Sequence, residues 1–243
     1  MSNRDEIIKR LTAQLDAASE ARDAYRDDAD VRARRGLLRE WQAARLARTY
    51  ADLLASPRYG KAAEFFLSDV YGPRDLRVHE DNVRVNLPVM KRLLPDTGLE
   101  TVADAIELSA LSERLDLAMV DALGPAMGHL MPADYGRAYR AVNRRVDRER
   151  QIELIGQLGH SLDRLTRSRM IGLALGAMRG PARTAGLGEL QSFLERGYNA
   201  FRHTGGADEF NDCVRKRESD LMRALFEGDD SPLERTAETI VRS

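Results

Sequence analysis

Phe65-Phe66-Leu67-Ser68-Asp69-Val70-Tyr71-Gly72-Pro73-Arg74-Asp75 places a helix end, a hard stop and a second helix start within eleven residues. Two adjacent phenylalanines end an apolar stripe. Gly72 can take the left-handed conformation that closes a helix, and Pro73 suits the first turn of the next one. Similar stops recur at Ser56-Pro57, Gly124-Pro125 and Gly180-Pro181, so the chain reads as a succession of helices joined by short breaks. Nowhere do β-branched or aromatic residues alternate over five or more positions, as a strand would require.

Residues Phe65 to Tyr71 read FFLSDVY, which resembles the signature of the FFLEELY-motif proteins, an uncharacterised bacterial family. Phe65, Phe66, Leu67 and Tyr71 match that signature. Ser68, Asp69 and Val70 depart from it, with Asp69 keeping a carboxylate where the family has glutamate. The resemblance implies a bacterial protein that is helical throughout, and it brings no activity with it.

Composition supports the same fold class. Hydrophobic residues make up 43% of the 243 and charged residues 32%, with much Ala, Leu, Arg and Glu, a globular and helix-leaning mixture. Basic residues are 34 Arg and 4 Lys, and the formal net charge is −1, which argues against a general nucleic-acid binder. Charge is unevenly spread. Residues 96–136 carry eight acids and one Arg, whereas 137–183 carry eleven Arg and four acids. Helices that face each other, within one chain or across a dimer, would account for this; a phosphate-binding basic face is the sharper alternative. The single Cys213 allows no internal disulfide and, alone, no zinc site; its spacing from Phe210 predicts a buried thiol. Met1 to Glu6 lacks the apolar core of a signal peptide, and the longest apolar run, Met170 to Met178, is too short to span a bilayer. A soluble cytoplasmic protein is the expectation.

The spacing of apolar residues predicts an all-α, single-domain bundle of seven to nine helices over residues 1–228, followed by an acidic, frayed tail at 229–243. Ile8, Leu11, Leu15, Ala18, Ala21 and Tyr25 trace a narrow seam that fits a first bundle helix, or a helix of residues 1–27 that protrudes and pairs with a second copy. Asp28 and Asp30 can cap a second helix burying Leu37, Leu38, Trp41, Ala44, Ala51 and Leu54. Residues 99–123 form the cleanest amphipathic pattern, with Val102, Ile106, Leu111, Leu115, Leu117 and Val120 inward and Glu100, Asp104, Glu107 and Glu113 outward. Asp134 can cap the next helix. A long helical pattern then runs to Arg179 and stops at Gly180-Pro181.

Common catalytic motifs are missing. Gly186-Leu187-Gly188 lacks the third glycine of a dinucleotide fingerprint, Gly60-Lys61-Ala62 lacks the hydroxyl residue of a P-loop, and Gly159-His160-Ser161-Leu162-Asp163 lacks the last glycine of a nucleophile elbow. No Glu-x-x-His pair offers di-iron ligands. Neither a metal nor a cofactor is called for. The turn after FFLSDVY is one candidate cluster: Asp75 and His79 share a helix face, with Asp69 just before and Arg74 as its available ion-pair partner. Capping and ion pairing explain that cluster without a site. His160 is expected at the surface, paired with Asp163. Gly172, Gly176 and Gly180, spaced by four in an apolar helix, form the second feature. Each interior glycine costs about 1 kcal/mol relative to Ala, so either a close helix crossing, answered by Gly197, or space for an apolar ligand bordered by Gly172, Gly176, Phe193 and Tyr198 is implied.

Three functional readings follow, with enzymatic activity left open. The leading one is a non-enzymatic interaction protein, a homo-oligomer or the partner of another protein. The second is a bundle binding a small apolar molecule between the Gly172/Gly176 helix and the Phe193 to Phe201 helix. The third is anion or nucleic-acid binding by the Arg-rich segment 137–183.

Overall fold

The computed structural model describes residues 3–23, 25, 28–70, 83–85, 87–88, 90–91, 96–125, 127–184 and 188–234. In chain order these form α1 (Asn3–Asp23), α2 (Ala29–Thr49), α3 (Ala51–Leu54), α4 (Gly60–Phe65), a π-helical turn (Phe66–Val70), α5 (Asp96–Leu123), α6 (Pro132–Val142), α7 (Arg145–Thr166), α8 (Arg169–Thr184), α9 (Gly188–Thr204) and α10 (Asp208–Glu227). Among the described residues there is no strand. Eight of these helices exceed ten residues, within the seven to nine expected of an all-α bundle.

Helix ends follow local chemistry. Asp28 caps α2 by accepting a hydrogen bond from the Val31 N–H. Pro132 opens α6, and Asp134 reaches back to the Met131 N–H. Asn143, with φ of 49°, closes the same helix in the left-handed region, and Gly228, with φ of 89°, closes α10. The pattern read as one helix up to Arg179 is two helices, broken around Arg167-Ser168. The second runs through Gly180-Pro181 to Thr184. Proline removes only its own N–H, a small loss within the last turn of a helix.

α5 is the central post. It packs against α1, α2, α6 and α7, and buried residues point from it in every direction. This corrects the amphipathic reading of 99–123: Asp104 and Glu113, placed outward from the sequence, are buried, as is Asp116. Their burial is made tolerable by arginines from other helices. Arg10 on α1 donates to Asp104 at 2.8 Å, Arg35 and Arg39 on α2 donate to Glu113 at 2.5 and 2.7 Å, and Arg39 also reaches Asp116 at 3.0 Å. Arg150 on α7 donates to Glu107 at 2.7 Å. Among the described residues the Arg-rich segment therefore reaches the acids of α5 through Arg150 alone, and the buried Asp104, Glu113 and Asp116 are met by arginines of α1 and α2 instead.

The N-terminal helix does not protrude. Ile7, Leu11, Leu15 and Ala18 of α1 are buried along α5, and Leu11, Leu15, Val83, Ala103 and Ile106 make one of three apolar clusters. Its seam is therefore spent within the chain. A second cluster joins Leu38, Met119, Val120, Met127, Tyr135 and Leu225, with Trp41 stacked on Tyr135 at 4.4 Å. The largest unites α4 and the π-helical turn with α5, α7, α9 and α10 through Phe65, Phe66, Leu111, Leu154, Phe201 and Phe210. On α2 the buried face is rotated from the one expected. Leu37 is 44% exposed and Ala44 is exposed, as is Ala51, which opens α3, while Arg45 is turned inward to meet Glu218 of α10.

Candidate functional site

The FFLSDVY stretch is where the largest core is locked. Phe65 and Phe66, one on α4 and one opening the π-helical turn, are both buried because α9 and α10 flank this segment. The Phe65 ring lies 5.4 Å from Phe193 and edge-on to Phe201 at 6.5 Å, and Phe66 meets Phe210 edge-on at 6.3 Å. Gly197 gives Phe65 its place: a Cβ there would stand 2.8 Å from the ring. The close approach expected between Gly197 and the Gly172 helix is made with Phe65 instead. Asp69 is buried and accepts from Arg196 of α9 at 2.5 Å and from the Ser68 hydroxyl at 2.8 Å. Tyr71, Arg74, Asp75 and His79, the remainder of that motif cluster, lie outside the described residues, as do residues 235–243 of the C-terminal tail.

The other candidate residues divide between two environments. Gly172 packs against the phenol of Tyr198, whose oxygen would be 2.6 Å from a Cβ at that position. Tyr198 is buried and donates a long hydrogen bond to the Ser168 carbonyl, and Phe193 packs into the aromatic core. Gly176 does not share this contact. A Cβ on Gly176 or on Gly180 would meet no described residue within 4 Å, and both positions are exposed. The structure thus brings Gly172 and Tyr198 together, and the Tyr198 ring occupies the gap that an apolar ligand would need.

α8 is consequently two-faced. Gly172, Leu175 and Ala182 turn towards α9, where Gln191 donates to the Leu175 carbonyl at 2.6 Å. Outward it presents Met170, 75% exposed, and Leu173, 72% exposed, beside Ala174, Gly176, Ala177 and Gly180. α8 carries Arg169, Arg179 and Arg183 and no acid. Arg179 is tied to Glu195 of α9 at 2.7 Å, whereas Arg169 and Arg183 make no ion pair among the described residues. Seven of the eleven arginines in 137–183 are paired in the chain: Arg137, Arg140, Arg144, Arg145, Arg150, Arg167 and Arg179. Arg148 is buried over the Tyr139 ring instead.

A polar cleft of about 470 Å³ opens where the start of α5, the end of α7 and the start of α10 converge. A shallower one of about 270 Å³ continues from it along α1, sharing Glu100, Asp104 and Gln157. The cleft was not legible because its walls come from three helices whose lining residues are more than forty positions apart. Of its lining, Glu100, Asp104, His160 and Asp163 stood out in the sequence, each as a surface group. His160 is half exposed, and its Nδ1 lies 3.5 Å from an Asp208 carboxylate oxygen and 3.4 Å from Asn211. Asp163, the partner expected for it, lines the same cleft but is buried and engaged otherwise: it accepts from Arg167 at 2.5 Å and from the Ala207 N–H at 3.0 Å, just before α10. Among the described residues no three His, Cys, Asp or Glu side chains gather as metal ligands. Cys213, predicted buried, is half buried.

Burial holds the Asp104 carboxyl above the ordinary carboxylate range, while the charge and hydrogen bond of Arg10 pull it down. A raised value means the folded chain binds this proton more tightly than the unfolded chain does. Asp104 therefore subtracts stability as pH rises from its unfolded value through its folded one. Asp104→Asn, which keeps the shape and stays neutral, is expected to flatten this slope and to raise the urea midpoint at neutral pH. A lower midpoint there would mean that the Arg10 pair outweighs the burial.

Taken with the fold, these features define the class of the protein: an all-α bundle with a polar interhelical cleft and one apolar helix face turned to solvent. Residues 21–232 match a family model described as a domain of unknown function (DUF8198), and the chain belongs to that family. No curated protein and no solved structure matches the chain. Among the described residues no helix is long and apolar enough to cross a membrane.

Proposed function

We propose that the protein is a soluble, cytoplasmic, non-enzymatic interaction module that offers the outer face of α8 to an amphipathic helix of a partner protein, one with acids flanking its apolar stripe. The observation that carries this is the exposure of Met170 and Leu173 on a helix where a Cβ at the outward-facing Gly176 would meet no described residue within 4 Å. Gly172 is explained by Tyr198, but Gly176 costs helix stability without a close neighbour among the described residues that would require a glycine. Glycine lets another backbone approach closely, and an exposed apolar face beside it is the usual mark of a docking surface.

Charge selects the occupant. A second copy of α8 would bring three arginines and no acids against the same set, so self-association through this face is disfavoured. A lipid surface would find Met170, Leu173 and part of Met178 to bury, where interfacial helices use bulkier apolar faces. Arg169 and Arg183 are fourteen residues apart, about 21 Å along the helix, and would pair with acids at both ends of a helix laid alongside. One helix face falls short of the roughly 800 Å² per partner of a lasting complex, so the association is expected to be transient. The resemblance of Phe65 to Tyr71 to the FFLEELY signature adds no partner to this reading, since Phe65 and Phe66 are engaged in the core.

A photo-crosslinking residue at position 173, used in cells, identifies the neighbour. The expected product is a single partner protein linked through a helix bearing flanking acids. Leu173→Glu should then weaken its binding at least tenfold, about 1.4 kcal/mol, and Arg169→Glu/Arg183→Glu should be rescued by Lys at the facing acids. A crosslink to a second copy of the chain would replace this reading with self-association. Wild-type affinity in the Leu173→Glu variant would refute the role of α8.

A further inference from the structure

We propose that the cleft between α5, α7 and α10 binds a small zwitterion of the amino-acid class, its ammonium against Glu100 and its carboxylate against Arg164. The site is separate from α8's outer face and stands or falls independently of it.

The volume, about 470 Å³, is in the range of small-molecule sites, and every residue lining it is polar or charged. What selects the ligand is the charge left over after internal pairing. Asp163 is satisfied by Arg167 and the Ala207 N–H, Asp104 by Arg10, and His160 lies against Asp208 and Asn211. Among the described residues two opposite charges of the lining remain without an ion pair, one on α5 and one on α7. The Glu100 carboxylate of α5 accepts no hydrogen bond among the described residues, and the Arg164 guanidinium of α7 donates only to the Ser161 hydroxyl, at 3.2 Å. They border the same cleft without forming an ion pair within 4 Å.

A ligand with one charge would satisfy one wall and be repelled by the other. An anion would stand near Glu100, Asp104 and Asp208, and a cation near Arg164 and Arg167. A molecule carrying both charges a few ångströms apart replaces the missing ion pair with two charge-assisted hydrogen-bond sets, and a guanidinium suits a carboxylate with two parallel bonds. The free edge of His160 and the amide oxygen of Gln157, whose amide nitrogen donates to Glu153, lie on the same helix as Arg164 and line the same cleft, where they can receive a short polar side chain.

Isothermal titration of the full-length protein with each of the twenty free L-amino acids tests this directly. Saturable binding of one or a few, with polar or small side chains, is expected. For each that binds, its N-acetyl and its carboxamide forms should bind at least tenfold more weakly, since each removes one of the two charges. Glu100→Gln and Arg164→Gln should each cause a similar loss while leaving the helical circular dichroism unchanged. The proposal is overturned if none of the twenty binds up to about 10 mM, the edge of useful affinity. It is equally overturned if the blocked forms bind as well as the free ones. That comparison uses the wild-type protein alone, so it decides the matter even where a variant fails to fold.

Discussion

Replacing Glu113 by Ala is expected to lower the unfolding free energy by about 3–5 kcal/mol, a large part of the roughly 5–15 kcal/mol that holds a domain of this size together. Glu113 is 6% exposed and accepts three hydrogen bonds, from Arg35, from Arg39 and from the Tyr25 hydroxyl at 3.0 Å. Its removal leaves two guanidiniums side by side, of which Arg39 alone keeps a carboxylate, Asp116. The buried Tyr25 hydroxyl also loses its acceptor. Urea unfolding followed by far-ultraviolet circular dichroism should show a lower midpoint with an unchanged slope. Glu113→Gln, which keeps the shape and loses the charge, should fall between wild type and Ala. A loss under about 1 kcal/mol for the alanine variant would show that water replaces the carboxylate and that the network is less closed than its geometry indicates.

The second large effect belongs to Arg45 and Glu218, which join α2 to α10. Arg45 is 7% exposed, and its two terminal nitrogens donate to the two Glu218 oxygens at 2.6 and 3.1 Å. The Tyr50 hydroxyl donates to the same carboxylate at 2.8 Å. Burial pulls the Arg45 guanidinium down, and the charge and hydrogen bonds of Glu218 more than restore it, so it stays ionised. Glu218→Ala therefore strands a buried cation and should cost about 3–5 kcal/mol. The double variant Arg45→Met/Glu218→Leu should recover most of that loss, because neither charge then has to be desolvated. Equal losses in single and double variants, measured by urea unfolding, would contradict this account.

The contrast between what was legible and what was not follows from distance along the chain. Caps are local, and Asp28 and the stop at Gly228 stand where the residues place them. Apolar spacing is local too, which is why Leu11, Leu15, Ile106 and Leu115 are inside as expected. The acids of α5 were misplaced because a helical pattern assigns carboxylates to solvent by default, and nothing near Glu113 announces Arg35 and Arg39 more than seventy positions earlier. His160 was assigned Asp163 for the complementary reason: a neighbour three residues away is visible in the sequence, whereas Asp208 is brought beside it only by the packing of α10 on α7. The cleft is wholly a product of such packing. On α8 the sequence showed three evenly spaced glycines, but the direction each faces depends on where α9 lies. Only Gly172 meets that helix.

The arginines gathered around α5 also act on the history of the fold. A chain built so largely from Leu and Ala offers helix faces that are nearly interchangeable, and apolar burial alone would let several pairings compete during collapse. Arg10 with Asp104, Arg39 with Asp116 and Arg150 with Glu107 assign each neighbour its own place along the post. Sliding α2 by one turn, about 5.4 Å, would keep most of its apolar contact yet strand Arg35, Arg39, Glu113 and Asp116 at once. On this geometry the buried charges are expected to act as a proofreading device for assembly, penalising near-native arrangements that apolar burial alone would accept.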